Sequence, residues 1–527
     1  MENSLTHLVA NAYDQQFDSA YQLFMNYYNA LNNFDKNENE AEKYFNLAID
    51  LFQKELYLNK IEICNYKKIK RLKLNFDKDL TVLIGDNGIG KTSILDAIRK
   101  NIMWISASIR KDNASGGTIT SEEINNQSFD DINGTYIDCD FNIGSKNKVR
   151  GRIARVLDTS VIPLKSELTD YRDLGQKIRE LNDYKDTNFP LFASYGVDRL
   201  SSRKFLSSDL VFNKIDGYEE SLNKVSNFNI FLEWLIQVLK ISKGHISEDQ
   251  KFLQHDIDVL EQAGAKDTSS PFHSMYLKLK KSFEEKTSQQ PDNISKILNN
   301  INLVYKEIYK DFVKLELVNN DDGKDKVQMI LNEDSFFLHQ LSDGQRVFLG
   351  LIGDIARRLI LLNNNSDYPL MGRGIVLIDE VELHLHPKWQ QKIILILKQC
   401  FPNIQFIITT HSPQILTTVK PHHIRVLNFN YSTSILSYKI PSFSFGAESQ
   451  VTLENLLDVE PRPQNLDIVK KLNRYKMLVK SDDWDSEEAV QLREELNTWG
   501  RNKDSILDKL DMEISLKKFK RSKNESN

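Results

Sequence analysis

The chain has 527 residues, with 69 Lys and Arg against 74 Asp and Glu, and its net charge of −5 excludes a polycation that grips nucleic acid over its whole surface. Its longest apolar runs, such as Ile375–Ile378 and Ile404–Ile408, fall far short of the roughly 18 residues a spanning helix needs, and Met1–Ser4 opens no secretory signal, so a cytoplasmic protein with no membrane part is expected. Three dispersed cysteines, Cys64, Cys139 and Cys400, exclude a disulfide framework and read as reduced thiols.

Residues 1–55 read as helices, because Ala20, Leu23, Phe24 and Tyr27, then Ala41, Tyr44, Phe45 and Ala48, recur at three- and four-residue steps. One such pair resembles a TPR- or Sel1-like unit; too short for a solenoid, it is expected to cap the next domain or a partner. From Leu58 the period shortens. Leu58, Ile61 and Ile63, then Leu72, Leu74 and Phe76, predict a hairpin with one buried face. The run Leu80–Ile84 is a buried strand that enters a glycine-rich turn and opens a helix through Ile94, Leu95 and Ile98. Residues 100–195 read as mixed short strands and loops, with the Ser/Gly/Asn/Asp-rich stretch 112–134 exposed.

From Phe228 to Phe312 the pattern is helical again, broken at Gly264–Pro271 and at Ser288–Asn293, which predicts two or more antiparallel helices. Strand and helix signals alternate from Phe336 to Val426, and the rest reads as a mostly helical, partner-binding appendix introduced by Pro461-Arg462-Pro463. Its tail, Lys517–Lys523, carries five cations in seven positions, as either a nucleic-acid path or, more ordinarily, a solvated end. The expected division is a helical segment 1–55, a first lobe 56–225, a helical insertion 226–320, a second lobe 321–435 and the appendix 436–527.

Gly85-Asp86-Asn87-Gly88-Ile89-Gly90-Lys91-Thr92, followed by Ser93, fits G-x-x-x-x-G-K-[ST] between a strand and a helix, the context that a phosphate-binding Walker A loop requires. The glycines let the backbone wrap a phosphate, Lys91 supplies a point charge, and Thr92 offers a hydroxyl to Mg²⁺. Ile375-Val376-Leu377-Ile378-Asp379-Glu380 reads as Walker B, with Asp379 for the Mg²⁺ shell and Glu380 as general base. A further strand ends in Thr409-Thr410-His411-Ser412, placing His411 within reach of a γ-phosphate. Leu341-Ser342-Asp343-Gly344-Gln345 opens a helix and makes a second anion-binding surface. One triphosphate does not need two such surfaces, so this one is expected to serve the nucleotide of a neighbouring copy.

In order and spacing these elements resemble the Walker A, signature, Walker B and switch-histidine motifs of ABC ATPase heads of the SMC/RecF/OLD kind. The wording of Gly374–Gln391 and Phe401–Pro413, and more loosely Gly446–Ser449 and Arg462-Pro463, is similar to the PtuA family of Septu and retron-linked anti-phage systems. The resemblance implies an α/β P-loop fold, an ABC-type head with an inserted antiparallel helical subdomain and helical appendices. It also implies slow or regulatory ATP hydrolysis with Mg²⁺, and a head-to-tail dimer or higher oligomer. The partners it implies are an HNH nuclease, PtuB, and in retron versions a reverse transcriptase with its RNA-linked DNA. A DNA-repair ATPase acting directly on DNA is the rival reading. His384 and His386 offer metal-ligand chemistry, yet belong to the family's wording after Walker B. Two departures stand out: Ser194–Arg199 holds no glutamine where ABC heads carry one, and Leu383–Pro387 replaces the usual D-loop. A contact to the base is expected near Tyr66–Arg71.

Overall fold

The computed structural model describes residues 2–125, 134–144, 146–156, 164–198, 213–223, 228–243, 248–268, 270–319, 325–430, 435–501 and 503–525. Arg199, part of the stretch 112–134 and the side chains of Arg521–Lys523 lie outside them. Two compact units divide the chain, Met1–Ala447 and Glu448–Asn527.

Unit one opens with α1 (Glu2–Tyr13), α2 (Phe17–Asn29) and α3 (Glu38–Lys54). Their aromatic residues fasten α2 to α3, with Tyr27 stacked on Tyr44 at 5.8 Å and Phe24 edge-on to Phe45 at 5.6 Å. The chain continues through β1 (Leu56–Tyr66), β2 (Ile69–Asn75), β3 (Leu80–Ile84), α4 (Lys91–Arg110), β4 (Gly134–Ile143), β5 (Asn147–Val156), α5 (Thr169–Tyr184) and β6 (Leu191–Tyr195). Tyr184 of α5 receives Phe24 and Phe45 at 5.0 and 4.9 Å, so α2 and α3 cap this lobe. The predicted hairpin pairs Ile61 with Leu74 and Ile63 with Leu72.

Next come α6 (Phe228–Ser242), α7 (Glu248–Gln262), α8 (His273–Ile308), β7 (Phe312–Asn319), β8 (Asp325–Leu331) and β9 (Ser335–Phe337), the last three forming a small antiparallel sheet. They lead to α9 (Asp343–Leu362), β10 (Gly374–Ile378), α10 (Pro387–Gln390), α11 (Ile393–Cys400), β11 (Ile404–Thr409), α12 (Pro413–Leu416), β12 (Ile424–Asn430) and β13 (Ile435–Lys439).

Among the described residues ten strands form one sheet in the order β5-β4-β1-β2-β13-β12-β3-β11-β10-β6. β12, β3, β11, β10 and β6 run parallel. β3, β10 and β11 are buried at every residue, because helices cover both faces of a parallel sheet. The three strands that carry the sequence motifs are therefore neighbours, with β11 between β3 and β10, and their C-terminal ends fall at one edge.

Three expectations need correction. The region 100–195 is not mainly short strands and loops. α4 runs to Arg110, β4 and β5 pair over ten residues each, and α5 buries Tyr171, Leu174, Ile178 and Leu181. Nor is the described part of 112–134 wholly exposed: Gly117 and Ile119 are buried, and the Gly117 carbonyl accepts from Trp104 Nε1 at 2.7 Å. Helix α8 also runs unbroken through Ser288–Asn293. Pro291 has no N–H to give, a loss of about 3 kcal/mol in a helix interior. Burial of Ile294, Ile297, Ile301 and Val304 on the following turns offsets it.

Unit two is helical, with α13 (Ser449–Leu457), α14 (Asp467–Lys480), α15 (Glu487–Gly500) and α16 (Ser505–Glu525). Leu472, Tyr475, Val479, Trp484, Leu496 and Leu507 are buried together in its core. Among the described residues no helix is long and apolar enough to cross a membrane. Among the described residues no disulfide joins the cysteines, and burial pushes the Cys400 thiol up to about 12.

Candidate active site

β3 delivers the chain into the turn Gly85–Gly90. Gly85, Gly88 and Gly90 take φ of +146°, +74° and +116°, which side-chain-bearing residues rarely adopt. A Cβ on Gly85 would also lie 3.0 Å from the Leu427 carbonyl oxygen. Asp86 and Asn87 stand exposed at the crest, Ile89 anchors the turn inside, and Ser93 is half-buried on the first turn of α4. The helix thus begins behind a glycine turn, an arrangement that suits an anion, with the Ile89 N–H donating to the Asp86 carbonyl at 3.3 Å within the turn. Lys91 is buried, and its Nζ donates to the Gly85 and Asp86 carbonyls at 2.7 and 2.9 Å. Burial presses this ammonium below the ordinary lysine range, while Asp379 and Glu380 pull it back.

The ends of β10 and β11 meet this turn. Thr92 Oγ1 donates to Asp379 Oδ2 at 2.8 Å, and Thr409 Oγ1 donates to Asp379 Oδ1 at 2.6 Å. The same Thr409 oxygen accepts the Glu380 N–H at 2.7 Å. Glu380 sits at φ +45°, a left-handed conformation that costs a non-glycine residue about 1–3 kcal/mol. Its hydrogen bond to Thr409 helps to hold it there, one residue beyond the strand.

Glu382 ties the two loops together, accepting from the His411 N–H at 2.5 Å and from Thr410 Oγ1 at 2.7 Å. Burial first, and then the charge on Lys91, hold the His411 imidazole below its ordinary range. Lys91, Thr92, Asp379, Glu380 and His411 therefore share one electrostatic neighbourhood.

Ser342 and Asp343 lie exposed at the start of α9. Ser342 and Gln345 close a reciprocal capping box, with Gln345 Oε1 accepting the Ser342 N–H at 3.1 Å, and Asp343 pairs with Arg346. A Cβ on Gly344 would fall 2.2 Å from the His384 carbonyl oxygen, so only glycine lets this helix start sit against the segment after Glu380. His386 is occupied otherwise than as a ligand: its Nδ1 accepts the Lys388 N–H at 3.3 Å, and His384 takes φ +65°. Among the described residues no group of three or more His, Cys, Asp or Glu side chains is arranged around a metal.

Thr92 and Asp379 fit Mg²⁺ in a different way. They place a hydroxyl and a carboxylate side by side, a hard-oxygen pair of the kind that would hold Mg²⁺ together with phosphate and water. A cavity of about 270 Å³ opens beside them, lined in part by Thr92, Asp96, Arg99, Tyr195, Val197 and Asp379. It occupies the place of the missing glutamine.

In the hairpin turn expected to contact a base, Tyr66 and Lys67 are tied to neighbouring acids. Tyr66 is buried, and its hydroxyl donates to Asp96 at 2.8 Å and to Glu123 at 3.1 Å, while Lys67 pairs with Asp96 at 2.5 Å. Lys68 is exposed, and its Nζ lies 3.6 Å from where a Cβ on Gly88 would stand. The sequence does not single out Lys68 beside the glycine turn, nor Thr409 and Glu382, which hydrogen-bond residues at the ends of β10 and β11. A hydroxyl ending a strand next to Walker B was the available signal for Thr409; nothing local distinguished Lys68 from its basic neighbours.

Residues 56–416 match the AAA ATPase domain family. The chain is 31% identical to the Retron Ec83 probable ATPase of Escherichia coli, over 98% of this chain and 97% of that one. It is 29% identical to the Retron Vc95 probable ATPase of Vibrio cholerae, over 85% and 91%. The Septu protein PtuA of Bacillus mycoides is 24% identical over 88% of this chain and 52% of its own length.

Proposed function

From the premise that the chain belongs to the AAA ATPase domain family, as a PtuA-like ABC ATPase of the defence-system type, we propose that it hydrolyses ATP and that its nucleotide state controls a separate HNH nuclease. The observation that carries the hydrolytic part is the junction of Thr92, Asp379 and Thr409, which joins the glycine turn to two strand ends.

In this reading the amides of Gly85–Gly90 and the Lys91 ammonium bind the β- and γ-phosphates, and Lys91 offsets charge that grows in the transition state. Thr92 and Asp379 would hold Mg²⁺, which would supply charge neutralisation at the phosphates. Glu380 accepts the proton of the attacking water, and His411 hydrogen-bonds in the γ-phosphate region. Ser342, Asp343, Gly344 and Gln345 serve the nucleotide of a second copy. The exposure of Ser342 and Asp343 at a helix start supports this, since an anion placed there would meet the positive end of α9.

The retron and Septu relatives support a defence setting, with a PtuB-type nuclease and, in the retron case, a reverse transcriptase and its RNA-linked DNA as partners. The test is phosphate release by the purified protein, with Lys91→Ala as control, followed by co-purification with the products of neighbouring genes. Undiminished hydrolysis by Lys91→Ala removes the catalytic assignment. Failure to retain any HNH nuclease removes the defence partnership and favours the rival, direct action on DNA.

A further inference from the structure

Asp354 is buried on α9, the helix that begins at Ser342. Its carboxylate accepts from Tyr195 Oη at 2.9 Å, from Arg358 Nε at 2.7 Å, and from Arg357 Nε and Nη2 at 3.1 and 2.9 Å. Burial works against ionisation, yet Arg358 and Arg357 outweigh it and hold the carboxyl at about 2. A buried charge cluster of this kind adds little net stability, because desolvation offsets the attraction. What it supplies is fixed geometry.

Tyr195 is the last residue of β6, paired with Ile378, and its carbonyl accepts the Asp379 N–H at 2.8 Å. One residue therefore touches the metal-site acid through its backbone and the serine-bearing helix through its hydroxyl. The surrounding contacts repeat the link. Arg358 Nη1 donates to the Gly217 and Glu219 carbonyls at 2.9 and 2.7 Å. The Ser221 carbonyl accepts the Ser194 N–H at 2.7 Å, and the Leu222 carbonyl accepts from Arg99 of α4 at 3.0 Å. All of this converges on the strand end that lacks the glutamine.

We propose that Tyr195 and Asp354 are positioning residues for hydrolysis, and that their hydrogen bond carries the seating of α9 to Asp379, so that the metal-binding pair is set only when α9 is docked. This rests on the reading of Asp379 as the Mg²⁺ acid. Displacing a reacting group by about 1 Å costs on the order of 10²-fold in rate, so a lost tether reads out in turnover.

Tyr195→Phe removes the hydroxyl alone and leaves Asp354 its two arginines. The measurements are kcat, the half-saturating Mn²⁺ concentration, the affinity for a fluorescent ATP analogue in EDTA, and Tm. Wild type against Lys91→Ala separately establishes whether hydrolysis belongs to this site at all. The expected result is a fall in kcat and a rise in the Mn²⁺ requirement, each about tenfold, with metal-free nucleotide affinity unchanged. An unchanged Mn²⁺ requirement overturns the proposal, whether or not Tm falls, because a purely structural role would lower Tm alone. Asp354→Asn is the second arm: adding Tyr195→Phe to it should cost little more, and fully additive losses in kcat also overturn the coupling.

Discussion

Thr92 donates a hydrogen bond of 2.8 Å to Asp379, across 287 residues of sequence. The contact closes the glycine turn onto the end of β10 and brings together the only two oxygens the sequence reading assigned to Mg²⁺.

Thr92→Ala removes both the donor to Asp379 and one proposed metal oxygen. Turnover should fall on the order of 10²–10³, as for other preorganised electrostatic groups, while nucleotide still binds in EDTA. Phosphate-release kinetics with and without Mg²⁺ check this. Turnover within a factor of about two of wild type would remove Thr92 from the site.

Glu380→Gln keeps the left-handed backbone position and loses the base. The variant should bind ATP, release phosphate slowly and accumulate as a nucleotide-held oligomer, read by light scattering with and without ATP. An identical mass under both conditions speaks against a site shared between copies.

Ser342→Arg places a bulky cation at the exposed start of α9 and should abolish hydrolysis, while loss of the Ser342 cap, about 1 kcal/mol, lowers Tm only slightly. Mixing it with the equally inactive Lys91→Ala protein should restore activity, because a head-to-tail pair then retains one site built from two intact surfaces. Absence of any restoration in the mixture, once subunit exchange is confirmed, refutes the sharing.

His411 should titrate on the acid side of the ordinary imidazole value of about 6.5, because burial and Lys91 disfavour its charged form. The folded protein then takes up this proton less readily than the unfolded chain. The group therefore costs nothing above about pH 6.5 and costs increasing stability as pH falls below it. Histidine-selective NMR reads the titration directly, and His411→Gln should relieve part of the acid-side loss in Tm. A midpoint at or above the ordinary value contradicts the assignment.

Lys68→Ala should weaken ATP and ADP binding by about tenfold, the scale of one charge-assisted hydrogen bond, and leave Tm unchanged. Lys67→Ala, by contrast, should lower Tm, because Lys67 is committed to Asp96. Fluorescence titration and thermal melts separate the two, and equal nucleotide affinity in wild type and Lys68→Ala would exclude Lys68 from the phosphate site.

Much of the site's chemistry was legible because it depends on local rules. The turn Gly85–Gly90 needs backbone conformations that glycine takes cheaply, and β3, β10 and β11 are continuous apolar runs because both faces of their sheet are covered. The helix start at Ser342 carries its own cap, which a sequence displays as Ser followed by Gln three residues later. Helix α5 was also readable, since Tyr171, Leu174, Ile178 and Leu181 keep helical spacing, but the glycine- and asparagine-rich stretch before it drew the reading toward loops. The break expected at Ser288–Asn293 does not occur, because α8 buries Ile294, Ile297, Ile301 and Val304 on the turns that follow.

Residue order along the chain is enough to mark the buried strands of the motifs, the turn tight enough to wrap a phosphate, and the carboxylates at a strand end. Tertiary structure alone decided that β11 lies between β3 and β10, that Thr409 braces both Asp379 and Glu380, and that Asp354 reaches Tyr195 across the fold. The physical reason is that local propensity depends on neighbouring residues, whereas these contacts join groups far apart in the chain, and no spacing rule encodes the order in which strands pair.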